Sequence, residues 1–189
     1  MIISVMNYKG GVGKTSISWN LGCFYNLSFR ENDPYGSLDL LSGTNTTLNY
    51  SNIENNCIYD FAGFTDELTY KVLEKSDVVI VPTLNSLLDV KNTINTINYA
   101  KKYCKNIIFV INRYKNGSDI TELVDFIKKH TGINQYVVIN DSKGVLNAIN
   151  SKKSIFALSE EKNLNKHTYK SILECFNKLI RKVEECLKN

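Results

Sequence analysis

Short apolar runs alternate with amphipathic stretches along this chain. Six of the runs have the length and composition of strands, and they lie at residues 1–6, 27–30, 56–60, 77–82, 106–111 and 135–139. Between them, apolar residues recur at helical spacing over residues 14–25, 65–75, 86–102, 119–130 and 165–187. Strands that alternate with helices predict an α/β fold in three layers, with a mostly parallel, twisted sheet and helices on both faces.

The same pattern predicts which side chains enter the core. Trp19 and Phe24 are expected to face inward from the first helix. The last helix carries an apolar stripe that is expected to be core packing rather than a membrane anchor, and it comprises Ile172, Phe176, Leu179, Ile180, Val183 and Leu187. Residues 43–55 are polar and predict a connection with a short strand at 47–50. No linker or internal repeat interrupts the chain, so a single domain is expected over residues 1–189.

Composition narrows the class of protein. A chain of 189 residues with 43% hydrophobic and 22% charged residues is typical of a soluble globular domain. The net charge of +4 permits contact with nucleic acid without requiring it. The five scattered cysteines form no C-x-x-C pair, which indicates reduced thiols rather than a disulfide framework or a zinc site. No apolar run approaches the ~20 residues of a membrane span, so we expect a cytoplasmic protein.

The segment KGGVGKT at residues 9–15 lies between the first predicted strand and the first predicted helix. Strand, glycine-rich turn and helix are the context that a phosphate-binding loop requires. Glycines allow several backbone N–H groups to point inward, and the helix N-terminus adds positive potential. In such a loop Lys14 reaches the β- and γ-phosphates and the Thr15 hydroxyl binds Mg2+. The predicted nucleotide-binding residues of the loop are Gly10, Gly11, Val12, Gly13, Lys14, Thr15 and Ser16.

This loop departs from the usual pattern in a specific way. Tyr8 occupies the position of the first glycine, and Lys9 precedes the glycine pair. The form K-G-G-x-G-K-[S/T] resembles the deviant Walker A loop of the ParA/MinD family of ATPases. In that family the early lysine reaches the phosphates of the partner subunit in a nucleotide-sandwich dimer. The resemblance therefore implies a catalytic role for Lys9 beside Lys14, ATP and Mg2+ as cofactors, and a homodimer that forms on ATP.

A second motif, ENDPYG at residues 31–36, resembles the family's D-x-D-P-Q-G sequence at the end of a strand. By resemblance, Asp33 positions the attacking water and organises the Mg2+ shell. Glu31 replaces the first aspartate and Tyr35 replaces the glutamine. Glutamate keeps the charge but moves the carboxylate by one methylene, so an altered geometry of the metal shell and slow turnover are expected.

The strand at residues 56–60 ends in Asp60, which resembles the Walker B carboxylate that holds Mg2+ through water. The family continues with prolines, whereas this chain continues with Phe61-Ala62-Gly63. Gly63 still offers a backbone N–H to a γ-phosphate. Thr15, Asp33 and Asp60 together form the predicted metal site.

Three later segments extend the resemblance. Asn112-Arg113 follow an apolar strand and resemble the family's N-R pair, whose asparagine hydrogen-bonds the nucleotide base. Residues 86–90 resemble a stretch near the family's dimer face, although a helix N-cap explains Asp89 equally well. Residues 148–155 resemble a final motif in which Ala148 matches an alanine and Lys152 takes the position of a glycine.

The resemblance implies that ATP hydrolysis serves as a switch. The chain is most like the short, ParF-like partition ATPases, which bind DNA non-specifically on the nucleoid as ATP-bound dimers. A centromere-binding, ParB-type adaptor stimulates hydrolysis in such proteins. Basic residues that could contact DNA phosphates are clustered at 101–105, 128–129, 152–153 and 181–182.

The sequence leaves three alternatives open. A MinD-like positioning ATPase on a membrane would need a basic amphipathic tail, which is not obvious before Asn189. An iron–sulfur reductase with the same loop would need paired cluster cysteines, which the five cysteines do not provide. A relative that binds nucleotide without hydrolysing it is compatible with Glu31, Tyr35 and the missing prolines after Asp60.

Overall fold

A computed structural model of the protein describes residues 1–63, 66, 68–115, 117, 119–161 and 166–188. In chain order its elements are β1 (Ile2–Val5), α1 (Lys14–Tyr25), β2 (Ser28–Glu31), α2 (Leu38–Ser42), β3 (Cys57–Asp60), α3 (Thr69–Leu73), β4 (Val78–Leu84), α4 (Leu87–Ala100), β5 (Ile107–Tyr114), α5 (Thr121–Thr131), β6 (Tyr136–Asn140), α6 (Lys143–Asn150), α7 (Ile155–Glu160) and α8 (Lys166–Leu187).

The strands form one sheet in the order β2-β3-β1-β4-β5-β6, and every neighbouring pair is parallel. β1 lies inside the sheet between β3 and β4. Because parallel strands end at the same edge, the loops that follow β1, β2, β3 and β5 gather there. The predicted α/β fold and its parallel sheet are confirmed.

The two faces of the sheet bury two separate apolar cores. One core lies between the sheet and helices α1, α7 and α8, and it includes Ile3 and Val5 of β1. The other lies between the sheet and helices α3, α4 and α5, and it includes Ile2. Successive residues of β1 therefore enter opposite cores, as the two-residue period of a strand requires. The three-layer arrangement follows from this division.

Long-range hydrogen bonds tie α1 to the carboxyl-terminal part of the chain. Trp19 Nε1 donates to the Lys153 carbonyl at 3.0 Å, and Asn20 Oδ1 accepts from the Ile155 backbone N–H at 2.8 Å. Trp19 is buried, as predicted. The helix that follows the glycine-rich loop is thus held by residues made much later in the chain.

The structure corrects three details of the predicted packing. Phe24 is 43% exposed, because α1 turns it toward the surface, where it contacts the rings of Tyr25 and Phe156. Leu187, at the last position of α8, is 41% exposed, whereas the other five residues of the predicted stripe are buried. The expected strand at 47–50 is reduced to one parallel bridge between Glu31 and Thr47. Near this bridge the Asn45 side chain accepts from the Thr47 N–H, and such local bonds compete with a ladder.

The third predicted helix is shorter in the structure. α3 spans only Thr69–Leu73, and the predicted start at Thr65 lies outside the described residues. Within the described part of the chain, no helix combines the length and hydropathy that a membrane crossing needs.

Candidate nucleotide-binding site

The glycine-rich loop winds from β1 to the first turn of α1, and β5 supports it from behind. Gly13 has a left-handed φ of 91°, and a Cβ at this position would collide with the side-chain amide of Asn112. That amide donates to the Val12 carbonyl at 2.8 Å. Position 13 therefore requires glycine for two reasons, its backbone conformation and the close approach of Asn112.

A buried asparagine fixes the start of the loop. Asn7 Nδ2 donates to the Pro82 carbonyl at 2.7 Å and to Thr93 Oγ1 at 3.1 Å. Its Oδ1 accepts from the Lys9 N–H at 2.8 Å. β4 and α4 thereby hold the backbone of Lys9. Asn7 was not among the residues predicted from the sequence. Its position directly after a buried strand could have indicated its role, because a buried amide must find hydrogen-bond partners.

A cavity of about 300 Å3 opens above the loop, and we name it the loop cavity. Its walls come from the glycine-rich loop (residues 10–11 and 13–16), the segment after β2 (31, 33 and 35–37), the segment after β3 (60–63) and Arg113. The fold thus brings most of the predicted loop residues together with Asp33 and Asp60. Lys9 is exposed and is not among the lining residues.

The Lys14 ammonium group in the loop cavity is partly buried and lies near two carboxylates, and the burial and the carboxylates affect its pKa in opposite directions. Its Nζ donates to the Lys9 carbonyl at 3.2 Å. Burial lowers the pKa of Lys14, while the charges of Asp60 and Asp33 oppose that shift. An anion entering the cavity would supply a compensating charge for the partly buried ammonium group.

Asp60 is buried at the end of β3 and is bound by the loop threonine. Thr15 Oγ1 donates to Asp60 Oδ2 at 2.6 Å. Burial raises the pKa of Asp60 to about 7, and the Thr15 hydroxyl, the Lys14 charge and the Ser18 hydroxyl act against that rise. Although Ser18 lies near enough to act in this way, its Oγ and Asp60 Oδ1 both lack a hydrogen-bond partner in the described part of the chain.

Asp60 Oδ1, which lacks a partner among the described residues, indicates whether the site could hold Mg2+. A buried carboxylate oxygen without a partner calls for a cation or water, and hydroxyl and carboxylate oxygens are ligands that Mg2+ accepts. Among the described residues, no group of three or more His, Cys, Asp and Glu side chains could hold a metal alone. Mg2+ in nucleotide sites takes several of its ligands from phosphates and water. Thr15 and Asp60 therefore suit the ion.

Glu31 has a structural role that the sequence did not reveal. Its Oε1 accepts from the Leu38 N–H at 3.1 Å and from Thr46 Oγ1 at 2.7 Å. A side chain at Gly36 would collide with this carboxylate. Glu31 thus holds the start of α2 and the following connection. The longer side chain that was expected to alter a metal shell uses at least one oxygen to fix the fold.

Asp33 is the other carboxylate of this segment. Its Oδ1 accepts from the Tyr35 N–H at 2.9 Å, which closes a turn. Tyr35 lines the loop cavity but is 94% exposed, so its ring makes little contact with the rest of the fold.

A larger cavity of about 1020 Å3 adjoins the loop cavity, and we name it the adjoining cavity. The two cavities share Ser16 and Arg113 as lining residues. Asn112 also lines the adjoining cavity, together with residues 84–86, residues 139–143 and apolar side chains of α6. The ladder between β5 and β6 is irregular between Ile111 and Tyr114, and Arg113 there has a φ of 52°. A bulge of this kind re-aims a side chain beside a site.

A small cavity over a glycine-rich loop, which shares lining residues with a larger space of polar and apolar side chains, matches the two ends of a nucleoside triphosphate. The parallel sheet, the glycine-rich loop and the Thr15–Asp60 pair define a P-loop nucleotide-binding protein. Residues 3–155 match the model of the CobQ/CobB/MinD/ParA nucleotide binding domain. The chain belongs to this family.

Solved structures share the fold at low identity. The ATP complex of a McdA variant of Cyanothece superposes with a TM-score of 0.68 at 14% identity, over 94% of this chain and 95% of that one. The septum site-determining protein MinD of Pyrococcus horikoshii with Mg-ADP gives 0.66 at 14% identity, over 95% and 96%. A putative plasmid partition protein of Borrelia burgdorferi bound to AMPPNP gives 0.64 at 16% identity, over 96% and 98%. No curated protein sequence matches the chain.

Two segments of the family resemblance gain structural detail. Lys152, which takes the place of a glycine, has a left-handed φ of 53°, and Ala148 is buried. Ser86, not Asp89, caps α4, because Ser86 Oγ accepts from the Leu88 N–H at 3.3 Å. The N-cap explanation for Asp89 is therefore wrong, and its place at a dimer face stays a prediction.

Proposed function

We propose that this protein is a slow, Mg2+-dependent ATPase whose ATP-bound homodimer positions or segregates DNA. The observation that carries the proposal is the Thr15–Asp60 hydrogen bond at the end of the loop cavity, with Asp60 Oδ1 lacking a partner among the described residues. Similar structures hold ATP, Mg-ADP or AMPPNP, which supports the same ligands here. The triphosphate would occupy the loop cavity and the base the adjoining cavity, beside Asn112 and Arg113.

Hydrolysis requires alignment and charge neutralisation more than covalent help. When bound, Mg2+ would be held by Thr15 and Asp60 and would neutralise negative charge on the phosphates. Lys14 adds a second positive charge, and Asp33 orients the attacking water. Lys9 acts on the phosphates of a second copy, which is consistent with its exposure and with its absence from the lining of its own loop cavity.

The DNA contacts are proposed at the edge strand β6, where two of the basic clusters converge. Lys128 Nζ lies 5.1 Å from the centroid of the Tyr136 ring. Lys178, Arg181 and Lys182 line a groove of about 470 Å3 along Tyr136–Val138. Lys182 pairs with Glu185 at 2.7 Å on this groove, so Lys178 and Arg181 are its proposed DNA contacts. Elsewhere, Lys153 pairs with Glu161 and Lys101 donates to the Thr131 carbonyl. A ParB-type adaptor would release the nucleoid-bound dimer by stimulating hydrolysis.

Calorimetry and light scattering test the nucleotide switch. Wild-type protein is expected to bind Mg-ATP and Mg-ADP and to become dimeric only with ATP. Lys9→Ala should still bind ATP but remain monomeric and inactive, whereas Lys170→Ala, at an exposed lysine of α8, should match wild type. A wild-type protein that shows no heat with Mg-ATP would refute the proposal.

DNA binding is tested with a labelled 60-base-pair duplex of arbitrary sequence in the presence of ATP. Lys178→Glu/Arg181→Glu should lower affinity by about tenfold or more and flatten the salt dependence, because fewer counterions are released. Lys75→Glu, an exposed lysine after α3, should have little effect. If ATP recruits the protein to anionic liposomes but not to DNA, the MinD-like membrane alternative replaces the DNA proposal.

A non-catalytic relative is the second candidate, and the hydrogen bonds of Glu31 favour it. Because a Glu31 oxygen is bound to Leu38 and Thr46, Asp33 is the main carboxylate of this segment that could position the attacking water. Single-turnover measurements on wild type and Asp33→Ala decide between them. A wild-type rate at least tenfold above that of Asp33→Ala supports the ATPase, and equal rates support a protein that only binds nucleotide.

A further inference from the structure

Asn32 joins the two segments that follow the neighbouring strands β2 and β3 and line the loop cavity. It lies between Glu31 and Asp33 in the segment after β2. Its Oδ1 accepts from the Ala62 backbone N–H at 2.8 Å, in the segment after β3. Its Nδ2 donates to Asp66 Oδ2 at 3.3 Å. One side chain therefore bridges the neighbour of Asp33 and the residues that follow Asp60.

The Ala62 end of this bridge borders the proposed site of the γ-phosphate. Ala62 and Gly63 line the loop cavity. A Cβ at Gly63 would lie 3.1 Å from the Tyr8 carbonyl oxygen, so this turn packs closely on the glycine-rich loop. A shift of Ala62 would therefore change its contacts with both the glycine-rich loop and Asn32.

The Asp66 end of the bridge is held firmly. Asp66 Oδ2 accepts from the Tyr50 hydroxyl, and Oδ1 accepts from the Leu68 N–H and from Thr69 Oγ1, both at 3.0 Å. Burial disfavours the charged carboxylate, but the hydrogen bonds from Tyr50, Asn32 and Thr69 outweigh it and lower the pKa of Asp66. Asp66 is thus an ionised acceptor that orients the Asn32 amide.

We propose that Asn32 is a positioning residue that couples Asp33 to the Ala62–Gly63 turn, so that both walls of the loop cavity respond together to the γ-phosphate. The inference rests on the proposed function. Asparagine suits the task because its amide both accepts from a backbone N–H and donates to a carboxylate. Aspartate at this position would face Asp66 with a like charge, and alanine would leave Ala62 and Asp66 without these bonds.

The test compares the affinity for ATPγS with that for ADP, together with the single-turnover rate of ATP hydrolysis. Asn32→Ala should keep ADP affinity within about twofold of wild type, lower the ATPγS-to-ADP affinity ratio by about fivefold to tenfold, and slow hydrolysis at least tenfold. Asn32→Asp should not rescue either quantity. Asn55→Ala, an exposed asparagine of the connection before β3, serves as the matched control and should equal wild type.

Tyr50→Phe provides a second variant that keeps the ring and loses only the hydroxyl bond to Asp66. It should change the affinity ratio in the same direction by about twofold to threefold. Equal losses of ADP and ATPγS affinity in Asn32→Ala, or a lower melting temperature with an unchanged rate and ratio, would show that Asn32 is merely structural. A wild-type protein that binds neither nucleotide overturns the proposed function itself, which distinguishes that failure from a failure of this inference.

Discussion

The loop cavity and the adjoining cavity are built in different ways. Around the loop cavity, Asn7, Asn32 and Asn112 each hydrogen-bond to the backbone of a lining segment or of its immediate neighbour. The adjoining cavity is more than three times as large, and exposed side chains such as Lys115 and Lys143 form part of its wall. Buried and partly buried hydrogen bonds from these three amides thus support the backbone around the phosphate end of the proposed ligand. We infer that phosphates and metal supply most of the binding free energy and that the base supplies less.

The largest effect is expected when a lysine of the loop cavity is removed and the result is compared with removal of a lysine from the wall of the adjoining cavity. Lys14→Ala should lower ATP affinity by about 100-fold, since a partly buried charge-assisted contact is lost. Lys115→Ala, on the wall of the adjoining cavity, should lower it by no more than about threefold. Calorimetry with Mg-ATP measures both values. Similar losses in the two variants would contradict the proposed division between the cavities.

A second experiment sharpens the metal half of the comparison. Asp60→Asn should lose the gain in nucleotide affinity that Mg2+ gives to wild type, by about tenfold or more. Because burial raises the pKa of Asp60 to about 7, the Mg2+ effect in wild type should grow between pH 6 and pH 8 as the carboxylate forms. Titrations of Mg2+ at fixed ADP concentration over this range provide the measurement. Asp125→Asn, at an exposed site on α5, is the control.

The same pKa shift predicts the pH dependence of stability without ligand. The pKa of Asp60 is raised from 3.8 to about 7 on folding, so the folded state binds its proton more tightly than the unfolded state. This contribution to the free energy of unfolding is complete below about pH 4 and is lost as the pH rises through 7. Asp60→Asn should therefore melt at a higher temperature than wild type at pH 8, with a smaller difference at pH 5. A constant difference across this range would contradict the ionisation argument.

A third experiment asks which half of the site Asn112 serves. Its Nδ2 supports the loop through the Val12 carbonyl, although the residue also lines the adjoining cavity. Asn112→Ala should lower the affinities for ATP and for inorganic tripolyphosphate alike, by about fivefold to tenfold. If only ATP affinity falls, Asn112 acts through the base instead. Asn85→Ala, on the same wall, controls for general disturbance of the adjoining cavity.

The smallest effect is expected just after α6, the helix whose apolar side chains line the adjoining cavity. Lys152 holds a left-handed φ of 53°, which glycine adopts without a steric cost. Lys152→Gly should stabilise the protein by about 0.5–1 kcal/mol and raise the melting temperature by roughly 2–4 °C. Differential scanning calorimetry measures this shift. Asn147→Gly, at an exposed position in the interior of α6, should instead destabilise the protein, and a gain there would show that the conformational argument is wrong.

Most of the fold could be predicted because its signals are local. Buried parallel strands are nearly continuous apolar runs, and the glycine-rich loop lies between the first strand and the first helix as a short linear motif. The carboxylates of the site were also predictable, since Asp33 and Asp60 follow strands that end at one sheet edge. Exposure at helix ends, as for Phe24 and Leu187, depends on packing that a periodic pattern does not encode.

The supporting amides and the role of Glu31 could not be predicted in the same way. Asn7 bonds to Pro82, and Asn112 bonds to Val12, so each contact joins residues that are distant in the sequence. Glu31 resembles an altered metal ligand until its bonds to Leu38 and Thr46 are known. Hydrophobic spacing identifies which residues are buried but not which distant partner satisfies a buried polar group.

The bonds from Trp19 to Lys153 and from Asn20 to Ile155 have a consequence for translation. They join residues 134 and 135 positions apart, and β1 pairs with β3 and β4, which are also synthesised later. The glycine-rich loop and α1 therefore leave the ribosome before the strands and the carboxyl-terminal residues that support them have been synthesised. The nascent chain exposes the apolar β1 segment during that interval, which makes it a natural client for chaperones. Premature termination before residue 150 would leave α1 without its bonds to Lys153 and Ile155.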